Sequence, residues 1–155
     1  MADNAAVLTG DNVTTTVGPD RIILSGSTTP VSGVCTAYTV TTQDAATNAT
    51  NVLTNTQINL TDGTATGDFY AVGDNTCAGA TINNFTITAG NNNAVIYWKN
   101  SIAEAVTLTA ADNAAVLTQD TLNVTTGPDR LTISGTTPVK AGVCTTYTVT
   151  SRDTA

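Results

Sequence analysis

Three cysteines, 12 carboxylates and no histidine bound the chemistry open to this 155-residue chain. Without an imidazole there is no Ser-His-Asp or Cys-His nucleophile, and the commonest nitrogen ligand of zinc is missing. Paired carboxylates can serve as general acid and base, but Asp in turns is expected from backbone hydrogen bonding alone, so no catalytic residue is assigned. Cys35 and Cys77 lie far apart rather than as a CxxC pair, which argues against a metal site and leaves either a bond between them or two buried thiols. Asp3, Asp11, Asp20, Asp112, Asp120 and Asp129 cluster about two Gly-Pro steps, where calcium could stiffen a joint. They lack the fixed short spacing of a calcium loop, so no cofactor is assigned.

The elements that must carry these residues are strands. Thr makes up roughly a fifth of the chain, and β-branching suits a pleated strand better than a helix. No helical periodicity is visible, and no apolar run approaches the ~20 residues needed to span a bilayer. The formal charge of −7 opposes binding to nucleic acid or anionic lipid and favours solubility. Met1 runs into polar Asp3-Asn4 without the pattern of a signal peptide, so a secreted parent would supply its export signal elsewhere.

The chain also repeats itself. Ala2-Asp3-Asn4-Ala5-Ala6-Val7-Leu8-Thr9 returns letter for letter as Ala111 to Thr118. Gly18-Pro19-Asp20-Arg21, Gly33-Val34-Cys35-Thr36 and Tyr38-Thr39-Val40-Thr41 return from Gly127, Gly142 and Tyr147. A period of about 109 residues is too long for a solenoid unit, so each repeat should be a whole domain in a string. Gly-Pro breaks strand pairing and stiffens a junction. Cutting there gives the final strand of one repeat (1–17), one complete repeat (18–126) and the opening strands of another (127–155).

Within the complete repeat, turn-rich Gly, Asn and Asp clusters separate expected strands near 20–25, 34–42, 57–61, 67–72, 80–88, 94–99, 104–110 and 121–126. Asp62-Gly63 reads as a turn. Gly90-Asn91-Asn92-Asn93 reads as the turn of a hairpin joining 84–88 to 95–98. The two copies indicate the buried face: Ile22 and Leu24 remain large and apolar as Leu131 and Ile133, whereas Ile23 becomes Thr132. Period-two alternation then turns Ile22, Leu24, Tyr38 and Val40 inward, with Thr39 and Thr41 outward. Either Tyr97 or Trp98 anchors the core, and Lys99 beside them marks a surface end.

The run Gly33 to Thr41, followed by Gln43-Asp44-Ala45-Ala46, Ile58-Asn59-Leu60, Phe69-Tyr70, Cys77, Thr86 to Gly90, Tyr97-Trp98-Lys99 and Thr107 to Ala110, resembles a bacterial Ig-like repeat. Such repeats are strung through large surface proteins and adhesins. The resemblance implies an all-β, immunoglobulin-like Greek-key sandwich in tandem, set outside the cell. In that setting Cys35 and Cys77 are expected as a disulfide and Cys144, the copy of Cys35, as an unpaired thiol. The expected role is a structural stalk or spacer, or a unit that pairs with neighbouring repeats or identical chains into a filament, because the opening strands and closing strand each occur twice. The alternative is a module for a glycan or receptor, using loops 61–68 and 73–80, for which Trp98 is the main aromatic platform. Sequons at Asn12, Asn48, Asn59, Asn84 and Asn123 are what a chain this rich in Asn and Thr produces by chance.

Overall fold

The computed structural model describes residues 14–155, which form 11 strands and no helix. The expected closing strand over 1–17 lies largely outside the described residues. The strands are β1 (Arg21–Gly26), β2 (Thr36–Gln43), β3 (Thr56–Thr61), β4 (Gly67–Tyr70), β5 (Thr81–Ile82) and β6 (Asn84–Ile87). They continue with β7 (Asn93–Asn100), β8 (Ala105–Asp112), β9 (Asp120–Thr125), β10 (Arg130–Gly135) and β11 (Tyr147–Arg152). Two antiparallel sheets, β1-β2-β7-β4-β5 and β6-β3-β8-β9, make a sandwich, and β10-β11 is a separate two-stranded sheet. Neighbours such as β2–β7 and β3–β8 are distant in sequence, so the chain weaves between layers as a Greek key does.

Alternation explains the core. Ile22 and Leu24 from β1, Tyr38 and Val40 from β2, Ile58 and Leu60 from β3, Ile96 and Trp98 from β7, and Val106 and Leu108 from β8 all project between the layers and are buried. Each large side chain so enclosed contributes about 1.5–3 kcal/mol. Thr39 and Thr41 alternate outward and are half-buried. Of the two neighbouring aromatics, Trp98 is the anchor at 1% exposure. The Tyr38 ring meets it edge-on with centroids 6.2 Å apart. Lys99, on the opposite face, donates to the carbonyl oxygen of Cys77 at 3.2 Å and lies 5.4 Å from the Tyr70 ring centroid.

The expected strand over 80–88 is instead two strands in different layers. β5 pairs with β4 and β6 pairs with β3. Ile82 and Phe85 both pack on the core, and their odd spacing cannot be met by one flat strand, so the chain changes sheets at Asn83, whose carbonyl accepts from Leu60 N at 2.8 Å. The expected hairpin from 84–88 to 95–98 is likewise a crossover, since β6 and β7 belong to opposite sheets. Its backbone is satisfied across the sandwich rim: Gly90 N donates to Val52 O, Val52 N to Asn91 O and Thr42 N to Asn92 O. Gly90, at φ +87°, supplies the left-handed residue that the bend needs.

The β10-β11 hairpin repeats β1-β2 in register. Arg21 faces Gln43 and Gly26 faces Tyr38 in one; Arg130 faces Arg152 and Gly135 faces Tyr147 in the other. Yet Leu131 and Ile133 are 72% and 70% exposed, against 1% and 4% for Ile22 and Leu24. The pairing survives without a second layer, and the core does not.

Candidate functional site

A seam joins the two ends of the sandwich. The segment entering and forming β9 runs parallel to β1 and the turn after it: Arg21 is bridged to Thr118 and Val31 to Gly127, both in parallel sense. Thr118 N donates to Asp20 O and Ile22 N to Thr118 O, each at 2.9 Å. Thr125 N donates to Thr28 O, Gly127 N to Pro30 O and Ser32 N to Gly127 O, each at 2.8 Å. Leu24 N donates to the Asp120 carboxylate at 2.8 Å, so a side chain fills the place in the ladder where the backbone has moved off. Because the two segments point the same way, tension applied at 18 and 127 loads these bonds along the strands and together. Each contributes only about 1 kcal/mol on its own, but shear forbids opening them one at a time.

The entrance to the seam is set by Asp112 at the end of β8. Its carboxylate accepts from Ala114 N at 3.1 Å, Val116 N at 2.9 Å and Leu117 N at 3.2 Å, and this ties the turn that delivers Leu117 to the core. Asp62, just after β3, has a corresponding place at the opposite end of the same sheet: one oxygen caps Thr64 N at 3.1 Å, the other accepts from the Trp98 indole N–H at 3.3 Å. The sequence reads Asp62 as a turn residue only; its second partner, in a distant strand, leaves no local signal.

Cys35, just before β2, is bonded to Cys77 in the loop between β4 and β5, with sulfurs 2.00 Å apart. The strap therefore ties two strands of the same sheet, at the end where β2 begins. Asp74 shapes that loop, accepting from Gly79 N at 2.8 Å and from Thr76 Oγ1 at 3.1 Å. The hydrogen bond from Gly79 N, more than any other contact, holds the Asp74 carboxyl below its ordinary range. Cys144 is exposed and free among the described residues.

The joint to the β10-β11 hairpin leaves from the far end of the seam. Ser32 Oγ lies 3.1 Å from Thr154 Oγ1 and accepts from Thr154 N at 3.2 Å, while Asp153 accepts from Ala103 N at 3.2 Å. Glu104, beside it, is held by Thr66 and by Asn100 Nδ2 at 2.9 Å, and these hydrogen bonds lower its pKa. Of the junction carboxylates, Asp20 pairs with Arg21 at 3.2 Å, Asp129 lies 3.8 Å from Arg130, and Asp112 and Asp120 are engaged as described. Asp3 and Asp11 lie outside the described residues. Among the described residues no three acidic or thiol side chains converge as a metal would require. Trp98 is enclosed, so it cannot stack a sugar; the loop 61–68 instead borders an open groove lined by Leu60, Asp62, Asp68, Phe69 and Ile82.

No family model and no curated protein matches the chain. Among solved structures it is similar to a glycosyl hydrolase family 2 member from Bacteroides cellulosilyticus, at 15% identity and TM-score 0.53, over 70% of this chain and 14% of that one. It is also similar to the Yersinia pseudotuberculosis adhesin InvE, at 18% identity and TM-score 0.50, over 71% of this chain and 32% of the adhesin. The chain thus spans a small part of each. At these identities the likeness establishes a shared β-sandwich fold.

Proposed function

We propose that the chain is part of an extracellular surface protein built from bacterial Ig-like repeats, in which the unit 18–126 acts as a load-bearing spacer or stalk between the end of one neighbour (1–17) and the start of the next (127–155), and associates with like chains. The observation that carries this is the parallel seam: it connects the two points at which neighbouring units would pull, and it resists them in shear. The Cys35–Cys77 strap supports an oxidising, extracellular setting, and the short hydrogen-bonded joint at Ser32, Ala103, Asp153 and Thr154 supports serial stacking over loose tethering. The fold shared with an adhesin supports the same setting. Exposed Lys140 provides the test. A membrane-impermeant amine-reactive reagent added to intact producing cells should label the protein as fully as it does after lysis; labelling that appears only on lysis refutes the extracellular role.

A further inference from the structure

On the side of the sandwich away from the seam, where β5 and β6 form the sheet edges, the two layers part over a groove of about 620 Å³. β4 pairs with β5 only through Phe69 and Tyr70, so Gly67 and Asp68 have no strand on that side. β3 pairs with β6 only as far as Asn59; Leu60 N still reaches Asn83 O, but among the described residues Asp62 N meets no acceptor. The lining is apolar at Leu60, Phe69 and Ile82 and acidic at Asp62 and Asp68, with no lysine or arginine. Asp62 is only 7% exposed, yet no cation lies beside it: the ion pairs among the described residues are Asp20–Arg21 and Asp129–Arg130. Lys99 stands opposite Asp68 in register, but its ammonium is taken by Cys77 O and the Tyr70 ring. A buried carboxylate without a cation is costly even when hydrogen-bonded. Gly67 leaves the place beside it uncovered, since a Cβ there would run into the Asp62 carboxylate.

We propose that this groove is a docking site for a basic, extended peptide segment of another protein, which lays its backbone along the free edge at Gly67 and Asp68 and sets a lysine or arginine beside Asp62 and Asp68. Docking there is separate from load-bearing, because the groove lies on the side away from the seam. Charge selects the occupant. The chain carries −7 overall, so a second copy brings the wrong sign, whereas a basic segment is drawn in. The open edge selects its form, since an extended backbone presents N–H and C=O groups to a strand edge and turns alternate side chains toward the apolar lining. Only two residues of β4 are free, roughly 7 Å of strand, so the ladder alone holds the segment weakly and the cation supplies the selectivity. The volume falls within the ~300–1,000 Å³ of ligand sites and suits a few residues of chain, not a folded domain. All the lining residues fall between Leu60 and Asn83, inside one repeat, so the site is complete without a neighbouring unit.

The probe is a blocked pentapeptide with a central lysine, flanked by valines and ending in threonines, titrated into the isotope-labelled 155-residue chain carrying Cys144→Ser and read from backbone amide shifts. The proposal expects saturable shifts confined to Leu60 to Asp62, Gly67 to Phe69, and Ile82 and Asn83. Glutamate at the centre of the peptide should weaken binding about tenfold or more, and N-methylation of the amides that face the edge should abolish it. Asp68→Asn should weaken binding ~threefold, as an exposed charge implies, and Asp62→Asn should weaken it further. Trp98 emission and thermal unfolding establish that each variant is folded; if Asp62→Asn unfolds, Asp68→Asn and the peptide series decide. Equal affinity for lysine amide alone would reduce the groove to a point-charge site and overturn the proposal. Tighter binding of a glucosamine tetramer at the same amides would assign the groove to a cationic glycan and overturn it too, as would shifts elsewhere or none. No outcome bears on cell-surface labelling, so the spacer function and the docking can fail separately.

Discussion

Breaking the Cys35–Cys77 strap should cost a large share of the sandwich's stability. The bond closes a loop of 42 residues, and in the chain-entropy account its removal from the unfolded ensemble is worth about 4 kcal/mol. For a domain of this size each kcal/mol moves the midpoint by ~4–8 °C, so Cys35→Ser/Cys77→Ser should melt roughly 15–30 °C lower. The native bonds that flank the strap, from Gly79 N to Asp74 and from Lys99 to Cys77 O, do not depend on the sulfurs and should keep the loop near its place. Hence the folded state should persist at low temperature with its Trp98 emission intact. The assay is thermal and urea unfolding followed by Trp98, in a Cys144→Ser background, with and without reductant. Identical midpoints after thiol titration has shown the bond fully reduced would refute the reasoning, because the loop entropy would then be offset elsewhere.

Gly67→Ala should destabilise by about 1–3 kcal/mol, since a Cβ there would run into the Asp62 carboxylate and the buried Trp98 indole; urea titration checks it. Asp112→Ala leaves three backbone N–H groups at the seam entrance without their acceptor, with an expected loss of about 2–3 kcal/mol and faster amide exchange at Leu117. Burial pushes the Tyr38 hydroxyl up to about 12, against about 10 in an unfolded chain. The folded state therefore holds the proton more tightly, and stability that is full below pH 10 should fall as pH rises through 12, a limb that Tyr38→Phe flattens. At the acid end the order reverses: Asp74, lowered chiefly by Gly79 N, stabilises the fold above the ordinary carboxylate range, and that contribution disappears as pH falls through its lowered value, loosening the Cys77 loop.

The buried face was legible because two copies of one strand vary only where variation is harmless: Ile22 and Leu24 hold their character, Ile23 does not, and the structure puts the first two in the core. Composition likewise announced an all-β chain. The choice between Tyr97 and Trp98 was left open, although Lys99, two residues from Tyr97 on the same face, carries a trace of it; in the structure Ile96 and Trp98 fill the core, and the indole N–H meets Asp62, a partner that only the fold brings there. The sheet switch at Asn83 was hidden in a run that looks like one strand, although the odd interval between Ile82 and Phe85 carries a trace of it. The seam was least visible. Its partners lie at opposite ends of the repeat, its bonds are mostly backbone, and only Asp120 contributes a side chain.

Load-bearing through that seam can be measured by pulling single molecules in two geometries. Handles at residues 18 and 127 load the bonds from Asp20 to Ser32 together, whereas handles at 18 and 119 pull both strands from one end and open the bonds in succession. The account predicts rupture several-fold stronger in the first geometry, followed by an extension that lengthens on reduction by the 42-residue loop, about 150 Å at ~3.5 Å per residue. Equal rupture forces in the two geometries would contradict it.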